Sequence, residues 1–261
     1  MPGILKEKIL RVDKIAPVIY KMTIESAYIA GNALPGQFVN VKCSDGINAL
    51  LRRPISICNV DKHKNTFDIV FQIKGTGTEL LSRMQPGERV DLLGPLGNSF
   101  DLDEKYSRIA VIGGGIGIFP LLFLLNRSKA DMKRCYLGFR SKDFIVLEEE
   151  FKTSSHDMCI STDDGSCGYN GLVTDMLARD LKNNVPDMVY ACGPTPMIRT
   201  VVKLADEYGI PCQVSMEQRM GCGIGACLVC ACKTKYGDEW EYSHICKDGP
   251  VFKGSDLIFD E

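Results

Sequence analysis

The sequence predicts a multi-domain β plus α/β protein: an antiparallel β-barrel over residues 1–101, a parallel doubly wound α/β domain over 102–213, and a small cysteine-rich segment over 214–261. Three observations predict it. Short β-rich stretches separated by turn residues fill the first part, strand and helix patterns then alternate, and five of the twelve cysteines crowd into the last stretch. At 261 residues the chain also exceeds a typical domain of about 150, so two or three folding units are expected.

The barrel rests on VIYKMTI (18–24), GQFVNVKC (36–43), RPISICNV (53–60), TFDIVFQI (66–73) and ERVDLLG (88–94), all strand-length and rich in β-branched and aromatic residues. From Ser107 the rhythm changes. RIAVIGG (108–114) reads as a buried strand entering a glycine turn and an apolar helix over 119–128. Strands CYLGF (135–139), MCIST (158–162) and MVYACG (188–193) follow, with helices GLVTDMLARDL (171–181) and TPMIRTVVKLADEYG (195–209), an alternation that implies a parallel sheet. After Val214 neither rhythm continues.

Composition narrows the function classes. Lys and Arg total 31 against 33 Asp and Glu, a net charge of −2 with an isoelectric point near 6.0, which gives none of the basic stripe that nucleic acid demands. The longest uncharged apolar run, Ile109 to Leu125, is broken by Gly113, Gly114, Gly115, Gly117 and Pro120 and predicts no membrane span. MPGILKEKILRV mixes charges with its apolar residues and does not read as a signal peptide, so a cytoplasmic protein is expected. In that compartment thiols stay reduced, and the cysteines do not form a disulfide framework.

Their spacing is the informative part. Cys222-x4-Cys227-x2-Cys230, with Cys246 after fifteen intervening residues, is the plant-type [2Fe–2S] spacing. Gly221, Gly223, Gly225 and Ala226 would let backbone N–H groups crowd around sulfur. A four-cysteine zinc site is the alternative, although zinc ligands usually come as two close pairs. A Rieske centre needs two histidines, and only His244 is near. Cys232 would face the same way as Cys230 in an extended segment, as a packed apolar side chain or a substitute ligand.

Two further motifs suit phosphate. Gly113-Gly114-Gly115-Ile116-Gly117-Ile118-Phe119-Pro120 joins a strand to a helix, where glycines admit a pyrophosphate; Pro120 replaces the third glycine of the ordinary dinucleotide fingerprint. The other reading is a tight turn that binds nothing. Arg52-Arg53-Pro54-Ile55-Ser56 and Gly75-Thr76-Gly77-Thr78 could form a guanidinium and amide clamp, though each alone reads equally as a solvated turn.

Taken together, RPIS on a barrel, GGGIGIFP and Ala191-Cys192-Gly193-Pro194 resemble the ferredoxin–NADP reductase superfamily. The added cysteine motif, with PGQFVNV, LLRRPISI, GPLGNSF, STDDGSCGYNG, MEQRMGCGIGACLVC and CKDGPVF, resembles the electron-transfer subunits of bacterial class B dihydroorotate dehydrogenases over nearly the whole chain. The resemblance implies a flavin barrel in which Arg53, Pro54, Ile55 and Ser56 hold FAD, Ser56 near the ring. Val70, Phe71 and Gln72 would continue that site, and Gly77 and Thr78 would take its phosphates. It implies NAD at Gly113, Gly114, Gly115, Gly117, Cys192, Gly193 and Pro194, and a [2Fe–2S] cluster on Cys222, Cys227, Cys230 and Cys246. Asp163 and Asp164 would repel a 2′-phosphate and favour NAD over NADP.

The implied function is transfer of electrons from the FMN of a separate catalytic subunit through the cluster and FAD to NAD+ in pyrimidine biosynthesis, within a heterotetramer of two copies of each subunit. No side-chain constellation for oxidising dihydroorotate is evident, so that chemistry is expected in the partner. Small subunits of hydrogenase and ferredoxin-linked transhydrogenase complexes share the layout but tend to carry Asp at the first cluster position, where this chain has Cys222. The resemblance assigns no role to Cys167 or Cys232.

Overall fold

The structure, a computed structural model, describes residues 3–259; residues 1, 2, 260 and 261, at the outer ends of the first and third expected domains, lie outside them. Among the described residues six strands close a barrel: β1 (Gly3–Ala16), β2 (Ile19–Glu25), β3 (Phe38–Val41), β4 (Arg53–Asp61), β5 (Thr66–Gln72) and β6 (Arg89–Leu96), in the order β1-β2-β5-β4-β3-β6. All pairings are antiparallel. The long β1 closes the ring by pairing its first half with β6 and its second with β2. The sequence pattern leaves it unassigned because Lys6, Glu7, Lys8, Arg11, Asp13 and Lys14 hide its alternation, and Ile9 is its one fully buried apolar residue. Val39, Val41, Ile55, Ile57, Ile69 and Phe71 fill the interior. Two short helices, α1 (Ala27–Asn32) and α2 (Thr76–Ser82), sit at strand connections.

The second unit runs β7 (Arg108–Gly114), α3 (Phe119–Arg127), β8 (Met132–Phe139), α4 (Glu148–Ser154), β9 (Asp157–Thr162), β10 (Tyr169–Asn170), α5 (Val173–Asp180), β11 (Met188–Cys192), α6 (Thr195–Glu207) and β12 (Cys212–Ser215). These strands are parallel in the order β10-β9-β8-β7-β11-β12, with the order reversing between β7 and β11. That reversal opens a crevice at the carboxyl ends of the strands. α3 is buried along Phe119–Leu125 because one side meets the sheet and the other meets β4 of the barrel. α5 and α6 cover the opposite face.

The last stretch supplies β13 (Ala231–Tyr236), β14 (Glu239–His244), β15 (Val251–Lys253) and β16 (Leu257–Ile258). β14-β13-β16 form a small antiparallel sheet, whereas β15 pairs antiparallel with β12 and becomes the seventh strand of the large sheet. Thus the α/β sheet is parallel except at this edge. Phe38 and Leu96 of the barrel, Ile198 and Val201 of α6, and Cys230, Ile245 and Cys246 share one apolar core.

A tight joint ties the barrel to this segment. Asn98 donates its N–H to Gly249 O and its amide Nδ2 to Asp248 O, both at 2.6 Å. Gly97 has φ +76, and a Cβ there would meet Pro250 Cδ at 2.4 Å and Gly249 O at 2.8 Å. Alanine at 97 combines left-handed backbone strain with a clash against a ring and a carbonyl. Gly97→Ala is expected to cost about 2 kcal/mol or more, read as a lower urea midpoint for the full chain; an unchanged midpoint would show that the joint yields freely.

Candidate functional site

A cavity of about 470 Å³ lies where the three parts meet. From the barrel come Arg53, Pro54, Ile55 and Ser56 on β4, Val70, Phe71 and Gln72 on β5, Phe38 on β3, and Lys74, Gly75 and Thr78 beyond β5. Register brings Phe38 opposite Ser56. Ile116, Phe119 and Cys192 close the cavity from the α/β unit, and Ser215, Met216, Glu217, Gln218, Met220 and Pro250 from the last segment.

The two adjacent arginines divide their labour. Arg52 pairs with Asp91 at 2.7 Å and donates to the carbonyls of Asn40 and Asp91, so it braces the barrel. Arg53 faces the cavity and packs on Gly77, where a Cβ would come within 2.8 Å of its Nε. Gly77 is therefore behind the lining and leaves room for the guanidinium. The Thr78 hydroxyl accepts from Lys74 N and Gly75 N and donates to Gly75 O, fixing the turn that enters α2.

A second cavity of about 630 Å³ follows the carboxyl ends of β7, β8, β9 and β11. Gly114, Gly115 and Gly117, then Phe139 and Arg140, then Asp163, and finally Gly193 and Pro194 line it in that order of strands. Gly115 has φ +56 with open space around it. Gly113 lines neither cavity: a Cβ there would meet Ile118 Cγ2 and Leu121 Cδ1 at 2.9 Å, so it is a packing glycine. Cys192 borders the first cavity, Gly193 and Pro194 the second. Asp164 turns away, accepting from the Ser166 amide and hydroxyl. Cys167 is exposed, with its N–H on Thr162 Oγ1. Gln72, Lys74, Ile116 and Glu217 border both cavities, so the two spaces adjoin.

Beside the first cavity Cys222, Cys227 and Cys230 share one loop, and Cys246, beyond β14, packs against it. Among the described residues six backbone N–H groups point at their sulfurs. Ile224, Ala226 and Cys227 aim at Cys222 Sγ at 3.4, 3.2 and 3.4 Å, Cys222 N at Cys227 Sγ at 3.3 Å, Gly225 N at Cys246 Sγ at 3.1 Å, and Cys246 N at Cys230 Sγ at 3.4 Å. Burial opposes ionisation of Cys222, but the N–H groups of Ile224, Cys227 and Ala226 outweigh it and bring that thiol down to about 6. Among the described residues no three His, Cys, Asp or Glu side chains converge on a point that could hold one metal ion. A two-iron cluster divides its four thiolates between two metals and needs no such convergence, and amide donors on sulfur are the surroundings it takes. The donor set fits that group. Cys232 packs against the shared apolar core, where burial, with Cys230 and Asp248, raises its thiol to about 11.

Sequence reasoning gave no binding role to Lys74, Arg140, Thr174, Met197, Ser215, Met216, Glu217, Gln218 and Met220, all of which line a cavity. Arg140 could have been found, because it directly follows a parallel strand, as Asp163 does. Ser215 to Met220 carries no such signal.

Family models match the three parts in turn: an oxidoreductase FAD-binding domain over residues 16–100, an oxidoreductase NAD-binding domain over 111–203, and the iron–sulfur cluster binding domain of dihydroorotate dehydrogenase B over 217–258. The chain is similar to the dihydroorotate dehydrogenase B (NAD(+)) electron transfer subunit of Desulforamulus reducens, at 39% identity over 100% of both chains. That of Fusobacterium nucleatum is 41% identical over 94% of each. Among solved structures, one described as the NADH-dependent reduced ferredoxin-NADP oxidoreductase superposes with a TM-score of 0.86 at 28% identity, covering 99% of this chain and 91% of that one. Phthalate dioxygenase reductase, at 22% identity and a TM-score of 0.61 over 83% of this chain and 70% of that one, shares the fold. No helix among the described residues is long and apolar enough to cross a membrane. The chain is an oxidoreductase subunit with FAD-binding, NAD-binding and iron–sulfur domains, and it belongs to the family of dihydroorotate dehydrogenase B electron transfer subunits.

Proposed function

We propose that this chain passes electrons from a dihydroorotate-oxidising, FMN-containing partner subunit to NAD+, in the cytoplasm, within a heterotetramer with two copies of each subunit. The observation that carries the proposal is the serial arrangement of the thiol loop, the first cavity and the second, the two cavities meeting at Gln72, Lys74, Ile116 and Glu217. When bound, FAD supplies the conversion between two-electron exchange with a nicotinamide and one-electron exchange with an iron–sulfur cluster.

The chain's own residues bind and orient. Arg53 offers a guanidinium fork to the FAD phosphates, with Gly77 and Thr78 beside it. Pro54, Ile55, Ser56, Val70, Phe71 and Gln72 line the space for the rest of the flavin. Gly115, in open space, leaves backbone free for the NAD pyrophosphate, with Gly114 and Gly117 beside it, Gly113 behind them and Gly193 and Pro194 opposite. Asp163 disfavours a 2′-phosphate. Cys222, Cys227, Cys230 and Cys246 hold the cluster. Ile224, Leu228 and Val229, each more than half exposed beside the exposed Cys227, form the face that meets the partner. The likeness to the ferredoxin-NADP oxidoreductase brings a second possible partner, a transhydrogenase subunit; Cys222 at the first cluster position and full-length identities near 40% favour dihydroorotate.

An anaerobic visible spectrum of the purified chain is expected to show flavin bands, with iron and sulfide in equal amounts and bleaching by NADH. Zinc in place of iron, or absence of flavin, would remove the redox reading. Arg53→Ala loses a charge-assisted phosphate contact and is expected to weaken FAD binding about 10- to 100-fold, measured by reconstituting the apoprotein; unchanged affinity would move the phosphates elsewhere. Asp163→Asn is expected to narrow the preference for NADH over NADPH about fivefold, read as the ratio of their kcat/KM values, and an unaltered ratio would clear Asp163 of that role.

A further inference from the structure

β3 carries two outward-facing residues, Phe38 and Asn40, while Val39 and Val41 point into the barrel. Phe38 borders the first cavity. Asn40 is 1% exposed, and its Nδ2 donates to the Cys222 carbonyl at 3.1 Å, across 182 residues of chain. Its Oδ1 has no hydrogen-bond partner among the described residues. An apolar side chain of similar size would fill this place without leaving a buried acceptor unmet, so packing alone does not account for an amide here. Below it, Arg52 fixes the Asn40 backbone by donating to its carbonyl while paired with Asp91.

The contact governs how one peptide lies. In a trans peptide C=O and N–H point in opposite directions, so drawing the Cys222 carbonyl towards the barrel turns the Gly223 N–H away from it and sets the direction in which the loop leaves Cys222. Gly223 has φ +76, and a Cβ there would lie 2.5 Å from Asn40 Nδ2. The residues that follow supply the three N–H groups converging on Cys222 Sγ.

We propose that Asn40 is a positioning residue for the cluster: by holding the Cys222–Gly223 peptide it keeps the amide donors of the loop on sulfur and fixes the loop against the strand that also borders the flavin cavity. This rests on the reading that the four cysteines hold a two-iron cluster. Donors on sulfur stabilise the more negative, reduced state, so releasing the peptide lowers the cluster's reduction potential.

The test uses the full chain carrying its cofactors, with Asn40→Leu, which keeps the volume and removes the donor. FAD content and NADH-dependent ferricyanide reduction are expected to match wild type. The cluster potential is expected to fall by about tenfold in the one-electron equilibrium, ~59 mV, with an altered electron paramagnetic resonance spectrum of the reduced protein. Loss of iron and sulfide with FAD retained would support the same role. An unchanged potential and spectrum would overturn it, as would loss of FAD together with the cluster, which would assign Asn40 to the barrel's folding. Gly223→Ala gives a second handle: part of its effect is the clash with the Asn40 amide, so its shift should be smaller in an Asn40→Ala background, and additive shifts would overturn the proposal. A wild-type chain without iron and sulfide would instead fail the cluster reading itself, a result distinct from a cluster-bearing wild type that Asn40→Leu does not perturb.

Discussion

The pairing of β15 with β12 is the interaction on which the arrangement depends. Val251, Phe252 and Lys253 lie antiparallel to Ser215, Val214 and Gln213, so both ends of the thiol-bearing stretch are fastened to the rim of the large sheet. The same pairing covers the backbone edge that β12 would otherwise present. Everything between, from Met216 to Pro250, is an excursion from a rigid frame. It packs inward through Cys230, Ile245 and Cys246 on Phe38 and Leu96, and it crosses the barrel's end at Gly97. A segment this small could not bury enough apolar surface to order itself, and it borrows its core from both neighbours.

Polar energetics in the loop run in the same direction. Amide N–H groups aimed at sulfur reward thiolate over thiol, and at Cys222 they prevail over burial. At Cys246 burial and the adjacent Cys230 dominate and push the thiol up to about 12. Two cysteines of the one motif are thus shifted in opposite directions. A metal held as proposed would take thiolates from both, and its binding energy would have to cover the deprotonation of the buried member. The exposed side of the loop, around Cys222 and Cys227, is the side already organised for negative charge.

Much of this was legible in the sequence because it rests on local rules. The barrel strands after β1, the apolar β7 with its glycine turn, the amphipathic α6 and the cysteine spacing all declare themselves within a window of a dozen residues or so. What stayed hidden depends on distant partners. β1 is disguised by charges on a strand whose outer face is wet. Tyr236-Gly237-Asp238-Glu239 is a two-residue hairpin signal, obscured because the aromatics that alternate with charge beside it, Trp240 and Tyr242, stay exposed and face Lys235 and Lys233 rather than a core. β15 is three residues long and becomes a strand only because β12 is there. The site was legible as motifs but not as surfaces: Arg52 and Arg53 look equivalent in sequence, and only Asp91 and Gly77 separate the brace from the cavity residue.

The tripeptide Cys192-Gly193-Pro194 shows why motif and surface differ. Read along the chain it is one element, yet Cys192 borders the first cavity while Gly193 and Pro194 border the second. The end of β11 therefore lies along the border of the two cavities, where the proposed electron path would bring two ligands together. Gly117 presses on this strand end from the loop after β7, close enough that a Cβ would fall 2.5 Å from Cys192 O and 2.6 Å from Gly193 Cα. Gly114 is held similarly, with its Cβ direction blocked by Met197 Sδ at 2.8 Å and Pro194 Cδ at 3.1 Å. Only Gly115 stands in open space with a left-handed backbone. The glycine run thus answers three demands at once: Gly113 lets α3 seat on the sheet, Gly114 and Gly117 let the loop close on the end of β11 and the start of α6, and Gly115 alone is spared by packing for approach to a ligand. A side chain at Gly114 or Gly117 would displace the loop from the end of β11, and that change would disturb the border at which the proposed electron path requires the two cavities to adjoin.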